Sequence, residues 1–78
     1  MIDVVESEVL MLLGTVLGVE LTPTSTRESV VAWDSLKHVE LVFLLEDEFG
    51  IEFVHDDFEE LNSVMAIVDL VKRRKSES

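Results

Sequence analysis

The sequence has 78 residues, of which 47% are hydrophobic, and it combines 17 acidic with 6 basic residues for a net charge of −11. This length fits one domain over residues 1–78, and the apolar content argues against disorder. No cysteine is present, which excludes disulfides, a cysteine nucleophile and cysteine-ligated metal, while the acidity makes nucleic acid and membrane surfaces poor partners.

The charge is distributed unevenly along the chain. Residues 1–71 carry a net charge of −14, whereas the last seven residues carry +3. The segment 72–78 is therefore predicted to be a basic, frayed C-terminal tail that complements the dipole of the helix before it. The acidic N-terminus does not resemble a secretory signal, and no apolar stretch reaches the length of a membrane span. We expect a soluble, cytoplasmic monomer.

The first predicted helix is followed by an unusually long loop. Asp3 and Glu6 have the spacing of a helix-capping pair, and Gly18 is a plausible stop. Between residues 3 and 18, apolar residues recur at helical spacing, namely Val5, Val9, Leu12 and Val16. Residues 19–34 are turn-rich and contain the only proline, Pro23. A connection of this length is typical of a loop that is functional or that packs along the domain.

The longest predicted helix begins near Asp34 or Ser35 and ends at Phe49, with Gly50 as its stop. One face carries the apolar residues Leu41, Val42, Leu45 and Phe49, and it is predicted to dock on the first and fourth helices. A second face, which we term the recognition stripe, consists of Ser35, Leu36, Val39, Glu40, Phe43, Glu46 and Asp47. Because three carboxylates would be costly to enclose, this stripe is predicted to be exposed and to bind a partner.

Two further helices complete the predicted fold. A short third helix runs from Asp56 to Leu61, and a fourth begins at Asn62 or Ser63. The core side of the fourth helix holds Val64, Ile67, Val68 and Val71. No segment alternates with the period of a strand, so the predicted fold class is all-α, a four-helix bundle with three longer helices, a short third helix and a long first loop.

Ser35 lies where the long loop becomes the longest helix, directly after Asp34. The start of a helix exposes backbone N–H groups and a positive dipole end, which together favour a phosphate. The alternative interpretation is that Asp34 or Ser35 simply caps the helix. Ser63 offers an internal comparison, because it begins a helix without an acidic residue before it.

The residues around Ser35 match a known motif. Asp34-Ser35-Leu36, followed by the runs 39–42 and 45–52, resembles the Asp-Ser-Leu modification motif, second helix and following turn of acyl carrier proteins. The resemblance extends over essentially the whole chain and implies a four-helix bundle that acts as a carrier without a catalytic site. It also implies that a phosphopantetheinyl transferase moves 4′-phosphopantetheine from coenzyme A to Ser35. The thiol of this arm would then carry acyl groups as thioesters.

The same resemblance implies roles for the recognition stripe. In the family, acidic residues of the second helix dock on basic patches of partner enzymes. These roles fall on the acidic residues Glu40, Glu46 and Asp47, with Asp56 as a weaker member, and on the apolar residues Leu36, Val39 and Phe43 between them. The implied partners are the phosphopantetheinyl transferase, an acyltransferase or ligase, and ketosynthase-type enzymes.

The residues flanking the motif bear on the pathway. A tryptophan directly before the motif, here Trp33, resembles the pattern of discrete carriers of polyketide or mixed peptide–polyketide biosynthesis. Lys37 and His38 are less acidic than the residues expected at these positions in a primary fatty-acid carrier. The Gly-Gly-x-Ser motif of aminoacyl carriers is absent. A specialised pathway is therefore predicted. The alternatives are a primary fatty-acid synthesis carrier and an unmodified acidic module that binds proteins.

Other residues near the motif allow more than one interpretation. Trp33 is expected to pack against the start of the second helix, and the alternative is that it shapes the surface beside the arm. His38 is expected to be an exposed surface residue, and the alternative is that it senses the phosphate. Phe43 is either a gate to an acyl-holding cavity or a core aromatic. A triad of Asp34, Ser35 and His38 is disfavoured, because one helix start cannot easily place the histidine between the serine and an orienting carboxylate and the chain is small for a substrate cleft. The clustered acidic residues do not fit the register of an EF-hand calcium loop.

Overall fold

The computed structural model describes residues 4–77. Its helices, in chain order, are α1 (Val4–Leu17), α2 (Ser35–Phe49), α3 (Asp57–Glu60) and α4 (Val64–Glu77). The predicted all-α fold, with a short third helix and a long first loop, is confirmed. Asp3, the first member of the predicted capping pair, lies outside the described residues. Within residues 4–77, no helix is both long enough and apolar enough to cross a bilayer.

The helix α1 is the centre of the packing. It makes the extensive helix–helix contacts of the domain, one with α2 and one with α4. Its buried residues, Val9, Leu13 and Leu17, are spaced four apart and so lie along one face. The predicted docking of α2 on α1 is confirmed, and buried side chains of α2 and α4 belong to the same core cluster.

The hydrophobic core draws on every long helix. From α2 it takes Leu41, Val42 and Leu45, as predicted, and Phe49 packs half-buried against them. From α4 it takes Val64, Ile67, Val68, Leu70 and Val71. Three further buried side chains, Ile51, Phe53 and Leu61, come from the segments on either side of α3. The core therefore also holds the irregular segment between α2 and α4 in place.

Two glycines end the first two helices as predicted. Gly50 has a left-handed backbone, with φ 64° and ψ 40°, and its N–H donates to the carbonyl of Glu46. Gly18 has φ 70°, and its N–H donates to the carbonyl of Gly14 at 2.8 Å. Residues with a Cβ rarely adopt this conformation, so glycine at these positions determines where both helices stop.

The long first loop is held against the start of α4. The N–H of Arg27 donates to the carbonyl of Asn62 at 2.8 Å, and the N–H of Val64 donates to the carbonyl of Ser25 at 3.0 Å. An isolated antiparallel bridge joins Thr26 and Ser63. The loop thus packs along the domain, which is one of the two roles that its length predicted, and its backbone has a defined position beside the start of α2.

The basic C-terminal segment, which was expected as a tail, is helical in the structure. The structure continues α4 to Glu77, and Arg74 donates from Nη2 to both carboxylate oxygens of Asp57 at 2.9 Å. The same carboxylate accepts a hydrogen bond from the N–H of Val54 at 2.8 Å. The side chain of Asp57 is only 6% exposed, and a buried carboxylate requires such partners. The pair therefore joins α3 to the end of α4.

Candidate modification site at the start of α2

Asp34 is the residue that caps α2. Its Oδ1 accepts a hydrogen bond from the N–H of Lys37 at 2.9 Å, and its own backbone is extended, with φ −92° and ψ −178°. Its carbonyl accepts the N–H of His38, which begins the helical hydrogen bonds. The sequence allowed either Asp34 or Ser35 to be the capping residue. The structure assigns it to Asp34, so the hydroxyl of Ser35 has no capping role.

Ser35 is the first residue of α2, and its side chain is exposed. Its Oγ accepts a hydrogen bond from Nη2 of Arg27 at 3.3 Å. The N–H groups of Ser35 and Leu36 precede the first helical hydrogen bond. Ser63 differs in the expected way, because its Oγ accepts a hydrogen bond from the N–H of Ala66 at 3.1 Å and so caps α4. A nucleophilic hydroxyl is thus presented at Ser35, beside a cation.

Sequence reasoning missed Arg27. It lies eight residues before Ser35 in the turn-rich loop, where no periodicity indicates which way a side chain points. The signal available in the sequence was its scarcity, since Arg27 and Lys37 are the only basic residues in residues 1–71. A lone cation in the loop before the motif was therefore a candidate neighbour of the serine.

Six of the seven residues of the recognition stripe are exposed, as predicted, and Glu46 is half-buried. Leu36, Val39 and Phe43 are 71%, 41% and 62% exposed, and Glu40 and Asp47 are also exposed. The interpretation of Phe43 as a core aromatic is therefore wrong. Exposed apolar side chains beside carboxylates, continuous with Ser35, form a surface suited to a partner with a basic patch.

Glu46 also has a structural role that the sequence did not predict. It is half-buried, and its Oε2 accepts a hydrogen bond from the N–H of Phe53 at 2.8 Å. This bond holds the segment after α2 against the helix. Asp56, the weaker member of the predicted docking set, is exposed just before α3. The exposed carboxylates of the stripe are therefore those of Glu40 and Asp47.

Trp33 and His38 form a buried pair, and the expectation that His38 is exposed is wrong. Trp33 is 2% exposed and His38 is 6% exposed. Trp33 Nε1–H donates to His38 Nδ1 at 3.0 Å, and His38 Nε2 lies 3.1 Å from the carbonyl of Phe58. Because indole can only donate and a carbonyl can only accept, the imidazole is neutral with its hydrogen on Nε2. Trp33 packs against the start of α2, as expected.

This pairing also removes His38 from any chemistry at Ser35. Both ring nitrogens are engaged by groups other than the serine, so the imidazole is not placed to act as its base. Within residues 4–77, no group of three or more histidine or acidic side chains is arranged to hold a metal ion. What the site offers is an exposed hydroxyl, a guanidinium and an adjoining surface.

Comparison with known proteins agrees with this architecture. Residues 7–71 match the family model for a phosphopantetheine attachment site. The solution NMR structure of a holo acyl carrier protein from Geobacter metallireducens is 25% identical, with a TM-score of 0.83 over 94% of this chain and 87% of that one. The crystal structure of an acyl carrier protein from Thermotoga maritima, 19% identical, shares the fold, with a TM-score of 0.75 over 91% of this chain and 86% of that one.

Fold and family match together define a small helical domain that carries a phosphopantetheine group. The chain belongs to the acyl carrier protein family. Its prosthetic group is accordingly phosphopantetheine. Members of this family are generally carriers without catalysis of their own, and they interact with phosphopantetheinyl transferases and with biosynthetic enzymes.

Proposed function

We propose that Ser35 is the residue that bears 4′-phosphopantetheine and that the protein holds acyl intermediates on this arm as thioesters. The observation that carries the proposal is the exposed Oγ of Ser35 at the first position of α2, left without a capping role because Asp34 performs it. Ser63, the other serine beside a helix start, is engaged as a cap. The residues present fit the group, since a hydroxyl for attachment lies beside the guanidinium of Arg27.

The attachment reaction requires only the hydroxyl from this chain. Ser35 Oγ attacks the phosphorus that bears pantetheine in coenzyme A, forming a new P–O bond while the pyrophosphate P–O bond breaks. The leaving group is 3′,5′-ADP, and the hydroxyl proton passes to a base of the transferase. The positive end of the α2 dipole and Arg27 favour negative charge at this position. When bound, the group supplies a terminal thiol for thioester formation, which this cysteine-free chain lacks.

The recognition stripe would bring the partner enzymes to this site. Its apolar side chains, Leu36, Val39 and Phe43, are exposed next to Ser35, and Glu40 and Asp47 lie beside them. Charge complementarity speeds encounter more than it strengthens the complex, which suits a carrier that must visit several enzymes and leave each quickly. We propose the transferase, an acyltransferase or ligase, and ketosynthase-type enzymes as partners.

Intact-protein mass spectrometry tests the attachment site. Wild type, Ser35→Ala and Ser63→Ala are incubated with coenzyme A, Mg²⁺ and a broad-specificity phosphopantetheinyl transferase. We expect the mass of one phosphopantetheine to be added to wild type and Ser63→Ala, and not to Ser35→Ala. A gain in Ser35→Ala would contradict the assignment. No gain in any protein, with the fold intact and a second transferase tried, would favour the unmodified acidic binding module.

We further propose that the pathway is polyketide or mixed peptide–polyketide biosynthesis, with primary fatty-acid synthesis as the alternative. Support comes from Trp33 directly before Asp34-Ser35-Leu36 and from the absence of an acidic residue at positions 37 and 38. The test supplies the holo-protein to a reconstituted fatty-acid synthase in place of its own carrier, which serves as the control. We expect poor elongation. Elongation at the rate of the native carrier would overturn the assignment.

A further inference from the structure

We propose that Arg27 binds the phosphodiester attached to Ser35 and directs the pantetheine arm into the cleft between the first loop and the start of α4. The inference rests on the proposed function, because it needs the arm to be on Ser35. It adds a positioning residue and a resting place for the arm, both on the side of the loop rather than along the recognition stripe.

The first argument is the position of the guanidinium. Arg27 Nη2 lies 3.3 Å from Ser35 Oγ, which is the atom that would bond to phosphorus. A neutral hydroxyl is a modest acceptor for a guanidinium, whereas a phosphodiester oxygen is a strong one that two N–H groups can approach together. The oxygens joined to the same phosphorus would therefore come within reach of Arg27 without rearrangement of the backbone.

The second argument is that the backbone of Arg27 is anchored and that its guanidinium is available. The N–H of Arg27 donates to the carbonyl of Asn62 at 2.8 Å, so the loop presents the side chain from a defined position. Across the part of the chain that the structure describes, no carboxylate forms an ion pair with Arg27. Lys37, the other basic residue in 1–71, lies 3.7 Å from Glu40 on the recognition stripe. Arg27 is thus the cation suited to the phosphate.

The third argument is the cleft that Arg27 borders. It is open, has a volume of about 540 Å³, and is lined by Thr26, Arg27, Glu28, Trp33, Asn62 and Ser63. A cleft of this size can accept a small flexible ligand. Pantetheine presents two amides and a hydroxyl, for which the lining has hydroxyl and amide groups, and a dimethyl group, for which it has the apolar edge of the Trp33 indole. The Glu28 carboxylate disfavours a second anion inside, so the phosphate stays at the mouth beside Arg27 while the neutral arm enters.

NMR of the apo- and holo-proteins tests this placement directly. In the wild type, attachment of the arm should shift the guanidinium resonances of Arg27 and the backbone amides of Thr26 and Asn62. Nuclear Overhauser effects (NOEs) should connect pantetheine protons with the indole of Trp33. Unchanged Arg27 resonances, or NOEs that run only to the exposed side chains of the recognition stripe such as Phe43, would overturn the proposal.

Matched variants separate Arg27 from general electrostatics. Arg27→Gln and Lys37→Gln each remove one positive charge near Ser35, and Arg27→Lys keeps the charge without the paired donors. The arm is first confirmed in each protein by mass. We expect Arg27→Gln to lose the NOEs between pantetheine and Trp33 and to change the ³¹P shift of the diester. Lys37→Gln should keep these NOEs and the wild-type ³¹P shift. Identical spectra for Arg27→Gln and wild type would refute the inference, while a wild type that gains no mass would refute the proposed function itself.

Discussion

At the scale of single residues, several polar side chains of types that are common in functional sites have structural roles in this protein. His38 lies three and four residues before Leu41 and Val42, on the core face of α2, and this spacing was the signal that could have indicated its burial. Its two hydrogen bonds connect the end of the first loop, through Trp33, with the short helix α3, through Phe58. The pair therefore holds the segments on both sides of the Ser35 site together.

Replacing His38 with alanine should destabilise the fold. His38→Ala leaves the buried N–H of Trp33 without its acceptor and creates a cavity, so we expect a loss of about 2–4 kcal/mol in the free energy of unfolding. Urea denaturation followed by Trp33 fluorescence measures it. The control is His55→Ala, at an exposed position, for which we expect a change within about 0.5 kcal/mol. Equal losses in both variants would contradict the structural role of His38.

At the scale of elements, the ion pair of Asp57 with Arg74 gives the C-terminal helix a contact that its sequence did not predict. A run of basic residues at the end of a helix is usually solvated and satisfies the dipole. Of the four basic residues at positions 72–75, Arg74 instead reaches the buried carboxylate of Asp57 in α3. The next residue, Lys75, lies over the ring of Phe49. The end of α4 is thereby attached to α3 and α2.

Arg74→Met should destabilise the protein far more than Arg73→Met. Loss of Arg74 leaves the Asp57 carboxylate buried without its charged partner, and we expect a loss of about 2–4 kcal/mol in the free energy of unfolding. Arg73 pairs with Asp69 at 3.2 Å, but both side chains are more than half exposed. Its removal should cost no more than about 0.5 kcal/mol. Comparable denaturation midpoints for the two variants would show that the Asp57 pair contributes little.

The recognition stripe of α2 leads to a kinetic prediction. Glu40→Lys and Asp47→Lys reverse exposed charges on the recognition stripe that begins at Ser35, so the transferase should modify both variants about tenfold more slowly at low ionic strength. Glu8→Lys reverses an exposed charge on α1 and is the matched control. The difference should shrink in high salt, because screening removes the steering. Equal values of kcat/KM for the three variants would eliminate the stripe as a docking surface.

At the scale of the whole molecule, self-repulsion opposes folding. Residues 1–71 carry a net charge of −14, and the Cα radius of gyration is 11.4 Å. The Debye length is about 30 Å at 0.01 M salt and about 10 Å at 0.1 M. At low salt, therefore, most charges in the molecule repel one another, whereas at physiological salt only near neighbours do. This acidity is compatible with folding because the core is contiguous and apolar.

Salt and Mg²⁺ should accordingly raise the melting temperature. Screening lowers the repulsion within the folded state more than within the expanded unfolded chain, and diffuse Mg²⁺ acts in the same direction. Thermal melts followed by circular dichroism from 0.01 to 0.3 M NaCl measure the effect. Arg74→Met, which raises the net negative charge, should respond at least as strongly as wild type. A melting temperature that is insensitive to both additives would contradict this account.

The sequence alone determined what depends on local chain chemistry. Helical spacing, the acidic residue before Ser35, and glycine at positions 18 and 50 predicted where the helices lie and stop, because caps, stops and periodicity act within a few residues of the chain. The motif around Ser35 predicted the family for the same reason. Each of these features can therefore be recognised without knowledge of the rest of the fold.

Only the tertiary structure decided which side chains meet across the fold. It placed Arg27 on Ser35, His38 between Trp33 and Phe58, and Arg74 on Asp57. The last pair is separated by 17 residues and the first by eight. Such contacts depend on how helices and loops pack against one another, and no local pattern of the chain records that packing. The surroundings of Ser35 therefore depend on how the first loop packs against α4, which the sequence does not specify locally.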